Sequence, residues 1–284
     1  MSDQKVLITK RSGDKVPFEK EKLVASLEQA GAGVEDIRQI AAMVLRRITE
    51  GMSTRKVYQM AYAMLRKKSQ KAAGKYRLKK AIFELGPTGY PFERFVAELL
   101  RYQGYEVEVG KIVQGHCVQH EVDVIACRDN RKYMIECKFH SDPGKKSDVK
   151  VSLYIQSRFW DVEKQWKKQP GNANQFHQGW IVTNTRFTDD AMQFGKCAGL
   201  HLISWDYPEQ GSLKDRIDIS GFYPVTVLDS LKKNEKENLL AHDIVICRQL
   251  NREALLKAGI PQNRIDKVLK EAAEIIGDPF KRPA

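Results

Sequence analysis

The segment that most restricts the fold is VDVIACRDNRKYMIECKFH, residues 122–140, where two apolar runs meet across Asp129 and Asn130. β-branched and aromatic residues on either side of an Asx pair predict a hairpin, with strands over His120–Cys127 and Lys132–Phe139. Side chains alternate along a strand, so Glu136 and Lys138 share one face while Ile135 and Cys137 take the other. Pairing within the hairpin brings Asp123 beside Glu136. Two carboxylates and an ammonium on otherwise apolar strands are costly to keep there without a cation or a chemical task.

Phosphodiester hydrolysis is a task that suits this set. Asp123, Glu136 and the main-chain carbonyl of Cys137 offer oxygen ligands to a hard divalent cation, Mg²⁺ by preference or else Mn²⁺. Such a cation polarises a phosphate and acidifies a water, while Lys138 orients that water or meets the developing negative charge. An amphipathic helix predicted over Pro91–Gln103 carries Glu93, which would complete the metal shell directly or through water. The plain alternative, a hairpin with its charges turned to solvent, explains a lone Glu-x-Lys. It explains less well the companion Asp and the apolar flanks Val122, Val124, Met134 and Ile135. Gln156, on a later helix, and His140, just beyond Lys138, are read as surface residues outside the core set.

Around the hairpin the pattern alternates between helix and strand. A strand is predicted at Tyr105–Val109, a loop at residues 143–152, and a helix from there through Trp166. A strand at Gly179–Thr183, a helix at Thr188–Ala198 and a strand at Leu200–Trp205 follow, which makes an α/β layer fold. The stretch from about Pro91 to Trp205 resembles the PD-(D/E)xK nucleases, and among them the Mrr-like restriction endonucleases. The resemblance rests on PFERFVAELLRYQGYEVE, the hairpin, and GWIVTNTRFTDDAMQFGKCAGLHLISWD. It implies an α/β/α nuclease core, a DNA substrate, and catalytic roles for Asp123, Glu136 and Lys138, with Glu93 as an additional helix carboxylate. Many Mrr-like members carry Gln where Glu136 stands, so this chain has the acidic form of the metal site.

The front of the chain is chemically different. Through Gly86 there are 19 Lys and Arg against 9 Asp and Glu, whereas the remainder has 29 against 27, so nearly all of the net +12 lies in front. The densest basic run, Arg66–Lys80, is either a solvated helix face or a surface for phosphates. Short strands over residues 3–9 and in RSGDKVPF precede helices beginning near Glu19, Val34, Ser53 or Thr54, and Ala72. VLITKRSGDKVPFEKEKL resembles the start of the ATP-cone, the regulatory module of ribonucleotide reductases and of a repressor of their genes; the likeness runs to about Leu85 and includes AIFELG. That resemblance implies a pocket for an adenine nucleotide, ATP or dATP, with Lys10, Arg11 and Lys22 on the phosphates and Thr54 and Tyr58 lining the cavity. No Gly-x-x-x-x-Gly-Lys-Ser/Thr loop is present, so sensing without hydrolysis is expected.

The expected organisation is therefore a small helical ATP-cone domain (1–86), an Mrr-like nuclease domain (87–227) and a helical C-terminal extension (228–284). In the extension, EALLKAGIPQNRIDKVLKEAAEII reads as two helices around Gly259, Ile260 and Pro261. This is similar to a helix-hairpin-helix, although a plain helical cap is the simpler reading. Five widely spaced cysteines suit reduced thiols and no zinc motif. No apolar run is long enough to span a bilayer and the N-terminus is charged, so a cytoplasmic protein without membrane contact is expected. DNA, an adenine nucleotide and further copies of the chain are the partners considered. A silent nucleic-acid-binding protein and a nucleotide-responsive regulator are the competing functions.

Overall fold

The structure, a computed structural model, describes residues 6–10, 12–168 and 176–277. These fall into two compact units, one formed by residues up to Lys79 with residues 270–277, the other by Lys80–Leu269. Arg11 and residues 3–5 of the expected first strand lie outside the described residues.

In the first unit, β1 (Leu7–Thr9) and β2 (Lys15–Pro17) form an antiparallel ribbon, turned at Gly13 with φ of 92°. Four helices follow: α1 (Lys20–Gln29), α2 (Val34–Arg47), α3 (Thr54–Lys68) and α4 (Gln70–Phe83), the last running past the unit boundary. Helical spacing selects the core: Ile37, Ile40, Ala41 and Val44 of α2 are buried, as are Val57, Ala61 and Leu65 of α3. Ser53 rather than Thr54 caps α3, its hydroxyl accepting the Lys56 N–H at 3.2 Å. The basic run through α4 is not a uniform solvated face, since Ala72, Ala73, Arg77 and Leu78 within it are buried.

The second unit begins with α5 (Tyr90–Tyr102). The strands β3 (Glu106–Gln114), β4 (Gln119–Arg128) and β5 (Arg131–Lys138) come next, then the short β6 (Lys146–Ser147) and α6 (Val149–Trp166). Next are β7 (Phe176–Thr183), β8 (Arg186–Phe187), α7 (Asp189–Cys197), β9 (His201–Ile203), α8 (Leu213–Ser220), α9 (Lys233–Ala241), α10 (Arg252–Lys257) and α11 (Gln262–Ile276), whose residues from Lys270 on belong to the first unit. Five strands form one mixed sheet in the order β3-β4-β5-β7-β9, antiparallel through β5 and parallel beyond it. The fold is α/β, as expected. Asp129 and Asn130 turn the β4–β5 hairpin with φ of 52° and 58°, a left-handed pair that Asx residues tolerate and that matches strand twist.

One expectation fails here. Residues 143–152 are not a continuous loop: Asp148 caps α6, its carboxylate accepting the Lys150 N–H at 3.1 Å, so an apparently polar stretch is the helix start. The segment after Trp205 contains α8, which a Ser212–Asp215 capping box initiates and Gly221 ends at φ of 66°. A further anchor had no forecast. The turn between β3 and β4 sits on Asp161 of α6, which accepts the Cys117 N–H at 2.8 Å and bonds His120 Nε2 at 2.8 Å. A Cβ at Gly115 would stand 2.1 Å from that carboxylate, so no other residue fits there.

His201 of β9 packs against Trp180, ring centroids 4.4 Å apart, and burial, with Arg216 adding to it, pushes its pKa down to about 4. An unfolded chain takes up a proton at this residue below about pH 6.5, whereas the folded one does not. Its contribution to stability is therefore complete above that pH and is lost as the pH falls through about 4. Thermal unfolding across this window is expected to show a steeper loss for the wild type than for His201→Gln; parallel curves would refute it.

Candidate functional site

β5 ends at the centre of the sheet, and its last residues carry the charges. Parallel pairing sets Glu136 beside Ile181 and Lys138 beside Thr183 of β7. Ile135 and Cys137 face the side on which Trp180 and Val182 meet α5, and Glu136 faces α6. The Glu136 side chain is only 5% exposed and binds two cations: Lys138 Nζ at 2.6 Å on one oxygen and Arg158 Nη1 at 2.6 Å on the other. Arg158 also donates to the Glu121 carbonyl. The β4–β5 ladder ends at Val124 and Ile135, and beyond it the Asp123 carboxylate takes over, accepting the Cys137 N–H at 2.7 Å.

The site is charged beyond what its lysine and arginine offset. Burial first, then repulsion from Glu136, pushes Asp123 up to about 6, against the Cys137 amide and the two cations. Glu93, in the first turn of α5, is pushed up to about 7 by burial and by Asp123, Glu136 and Glu121. All four expected side chains thus sense one another. Burial drives the Cys137 thiol well above its ordinary range, which leaves it inert and its carbonyl as the relevant group.

Arg158 is the residue of the candidate site that sequence reasoning missed. Its partner lies 22 residues away. The available signal was its place at the edge of the α6 stripe Ile155, Phe159 and Val162. Both residues expected at the surface are not there. Gln156 is 3% exposed, and its Oε1 has no hydrogen-bond partner among the described residues. His140 is half-buried and structural: its N–H donates to Asn184 Oδ1 at 2.8 Å and its Nε2 meets Ser147 Oγ at 2.9 Å.

No three His, Cys, Asp or Glu side chains among the described residues form a ready-made metal cage. Two carboxylates, a main-chain carbonyl and water need no third side chain. The all-oxygen donors and the elevated Asp123 and Glu93 fit a hard divalent cation that would relieve their repulsion.

In the first unit, Lys10, Lys22, Thr54 and Tyr58 surround one cavity of about 450 Å³, with Ile8, Val16, Phe18 and Tyr76 among its apolar walls. Tyr58 stacks on Tyr76 at 4.9 Å between centroids and on Tyr62 at 6.2 Å. Lys22 pairs with Glu19 at 2.8 Å. Apolar walls with a few convergent polar groups, at this volume, are the usual makings of a small-molecule site.

This sheet, with an acidic pair and a lysine at the end of its central strand, defines a restriction-endonuclease-like domain. The chain matches the family model of the restriction endonuclease domain over residues 87–207 and that of the ATP cone domain over 6–81. A third match, over 223–276, is to the C-terminal domain of AF1548-like proteins. An uncharacterised protein of Archaeoglobus fulgidus is 37% identical over 185 residues, which cover 64% of this chain and 100% of that protein. The crystal structure of the protein of unknown function AF1548 is similar at 37% identity and a TM-score of 0.56, over 67% of this chain and 99% of that one. The chain belongs to this AF1548-like family. Can2 from Sulfobacillus thermosulfidooxidans, solved with cyclic tetra-adenylate, is 15% identical with a TM-score of 0.34 over 70% of this chain and 55% of its own, too slight a likeness to bear on function.

Removing one partner of a buried ion pair leaves a charge without compensation, at about 3–5 kcal/mol. Arg158→Ala is expected near the lower end, about 3 kcal/mol by urea denaturation, because Lys138 still holds Glu136. A loss too small to resolve would mean that Glu136 does not depend on Arg158.

Proposed function

We propose that the chain is a metal-dependent endonuclease that hydrolyses DNA phosphodiester bonds and is regulated by ATP or dATP. In this reading residues 1–86 bind nucleotide, 87–227 cut, and 228–284 form a helical extension of a cytoplasmic protein. The observation that carries it is the cluster of Asp123, Glu136 and Glu93, with two pKa values raised by burial and mutual repulsion around a central Lys138. A silent binding protein would have no need to keep such a cluster charged and buried.

Asp123, Glu136 and the Cys137 carbonyl would hold Mg²⁺ or Mn²⁺, and Glu93 would join them directly or through water. The bound ion supplies a charge that polarises the phosphate and makes a water more acidic. Arg158 fixes one oxygen of Glu136 and keeps that side chain from turning. Lys138, its side chain 31% exposed, lies at the open end, where its ammonium can meet a phosphate oxygen or orient the attacking water.

Plasmid DNA incubated with Mg²⁺ is expected to be cut by the wild type and not in chelator. Asp123→Asn, Glu136→Gln and Lys138→Ala should each slow cleavage by at least about 100-fold. The amide variants keep an acceptor for the Cys137 N–H and for Arg158, which separates chemistry from folding. Full activity in any of the three, or cleavage that survives chelation, would overturn the assignment.

Regulation rests on the basic front region and its cavity. Lys10, Arg11 and Lys22 on the phosphates, with Thr54 and Tyr58 beside the base or sugar, would bind nucleotide without using it. A coupled site obeys linkage: if nucleotide alters DNA affinity, DNA alters nucleotide affinity by the same factor, typically about 5- to 150-fold. Calorimetric titration of ATP and dATP into Asp123→Asn protein, with and without a duplex, is expected to show that shift or a change in assembly by sedimentation. Equal affinities at constant oligomeric state would remove the regulatory role.

A further inference from the structure

The outer face of α6 has a composition that a solvated helix does not need. Tyr154 and Trp160 are each 59% exposed and Leu153 is 46% exposed, although the opposite face of the helix already supplies Ile155, Phe159 and Val162 to the core. Single exposed apolar residues are ordinary on a protein surface. Here they lie on the outer half of the helix with Lys150 and Lys164, both exposed and making no ion pair among the described residues, with Tyr154 at one edge of that half and Trp160 at the other. This face also touches the site described above. Arg158, one turn after Tyr154, holds Glu136 Oε2 at 2.6 Å, and its guanidinium lies 5.4 Å from the centre of the Tyr154 ring.

We infer that this face is a stacking platform for unpaired bases, so the nucleic acid taken at the site is single-stranded or locally opened. The inference rests on the nucleolytic reading of the site and names its substrate class. Flat rings bind bases of any identity through their faces, and flanking cations follow the phosphates. Both ingredients lie on one helix. Tyr154 and Trp160 are six residues apart, about 9 Å along an α-helix and about 120° around it, so the rings meet different bases. Charge favours a polyanionic occupant, because the exposed Lys150 and Lys164 lie beside the rings, where they can follow a phosphate backbone. Paired bases keep their faces stacked on each other and offer these rings nothing. A duplex would therefore use the lysines alone.

The test measures binding of a short oligodeoxynucleotide to the full chain in chelator, as a single strand and as its duplex. Tyr154→Ala and Trp160→Ala are each expected to weaken single-strand binding by about 5- to 150-fold while duplex binding hardly changes. Tyr154→Phe, which keeps the ring, should bind like the wild type and so controls for local unfolding. Unchanged single-strand affinity in the double Ala variant, equal losses on both forms, or a Phe variant as weak as the Ala variant would overturn the inference. So would a change in oligomeric state by sedimentation in the double variant, since the face would then be a contact between copies. Cleavage is scored separately with Mg²⁺. Ring-dependent binding by a protein that cuts neither form would sink the nuclease reading and leave the platform. Cutting that needs Asp123 and Glu136, with binding indifferent to the rings, would do the reverse.

Discussion

A buried carboxylate at the end of the central strand organises this nuclease-like unit. Glu136 has lost nearly all its water, and its replacement solvation is two cations of different origin. Lys138 comes from the same strand and needs only the alternation of side chains to reach it. Arg158 comes from a helix that must be placed first. Several polar groups fix the strand end that carries Lys138. Thr183 Oγ1 donates to the Lys138 carbonyl at 2.7 Å, and Asn184 brackets His140 by accepting its N–H and donating to its carbonyl, each at 2.8 Å. Thr183, Asn184 and Thr185 are all buried, yet each bonds rather than packs, so the end of β7 clamps the end of β5.

That arrangement explains what was legible in advance. Local rules sufficed wherever the partner lay nearby in sequence. The Asx turn paired β4 with β5, strand alternation put Lys138 over Glu136, and the hairpin set Asp123 against Cys137. Hydropathy period also marked α5 and the position of Glu93 on it. Long-range partners left no comparable trace. Arg158 on Glu136, Asp161 on the β3–β4 turn and Asn184 on His140 span 22 to 44 residues, and nothing in the spacing of a polar residue names a partner that distant.

The failures share a physical cause. Polarity was taken as a sign of solvent at His140 and Gln156, which are half-buried and buried, and as a sign of a loop at residues 143–152, where the exposed Asp148 starts a helix. Asp148 caps a helix, His140 ties a loop to Ser147, and Gln156 is enclosed with an idle oxygen. Composition reports how much water a segment would accept and not how much it receives. In the front unit the same confusion attached to the basic run, part of which is core.

The electrostatics of the site also bear on how a polyanion reaches an acidic centre at all. Three carboxylates in one place would repel a phosphate backbone if all were ionised. With Glu136 matched by Lys138 and Arg158, the surplus falls on Asp123 and Glu93, whose pKa values are pushed up to about 6 and about 7, toward their neutral forms. The local charge is then far smaller than the residue count suggests, and approach is not opposed. A divalent cation would pull both groups toward ionisation, so its binding releases protons and restores the negative charge only when a positive centre is present to offset it. The two cations of the protein therefore do more than solvate Glu136. They offset the acidic cluster in the metal-free protein, and a site with Glu136 unpaired would forfeit that.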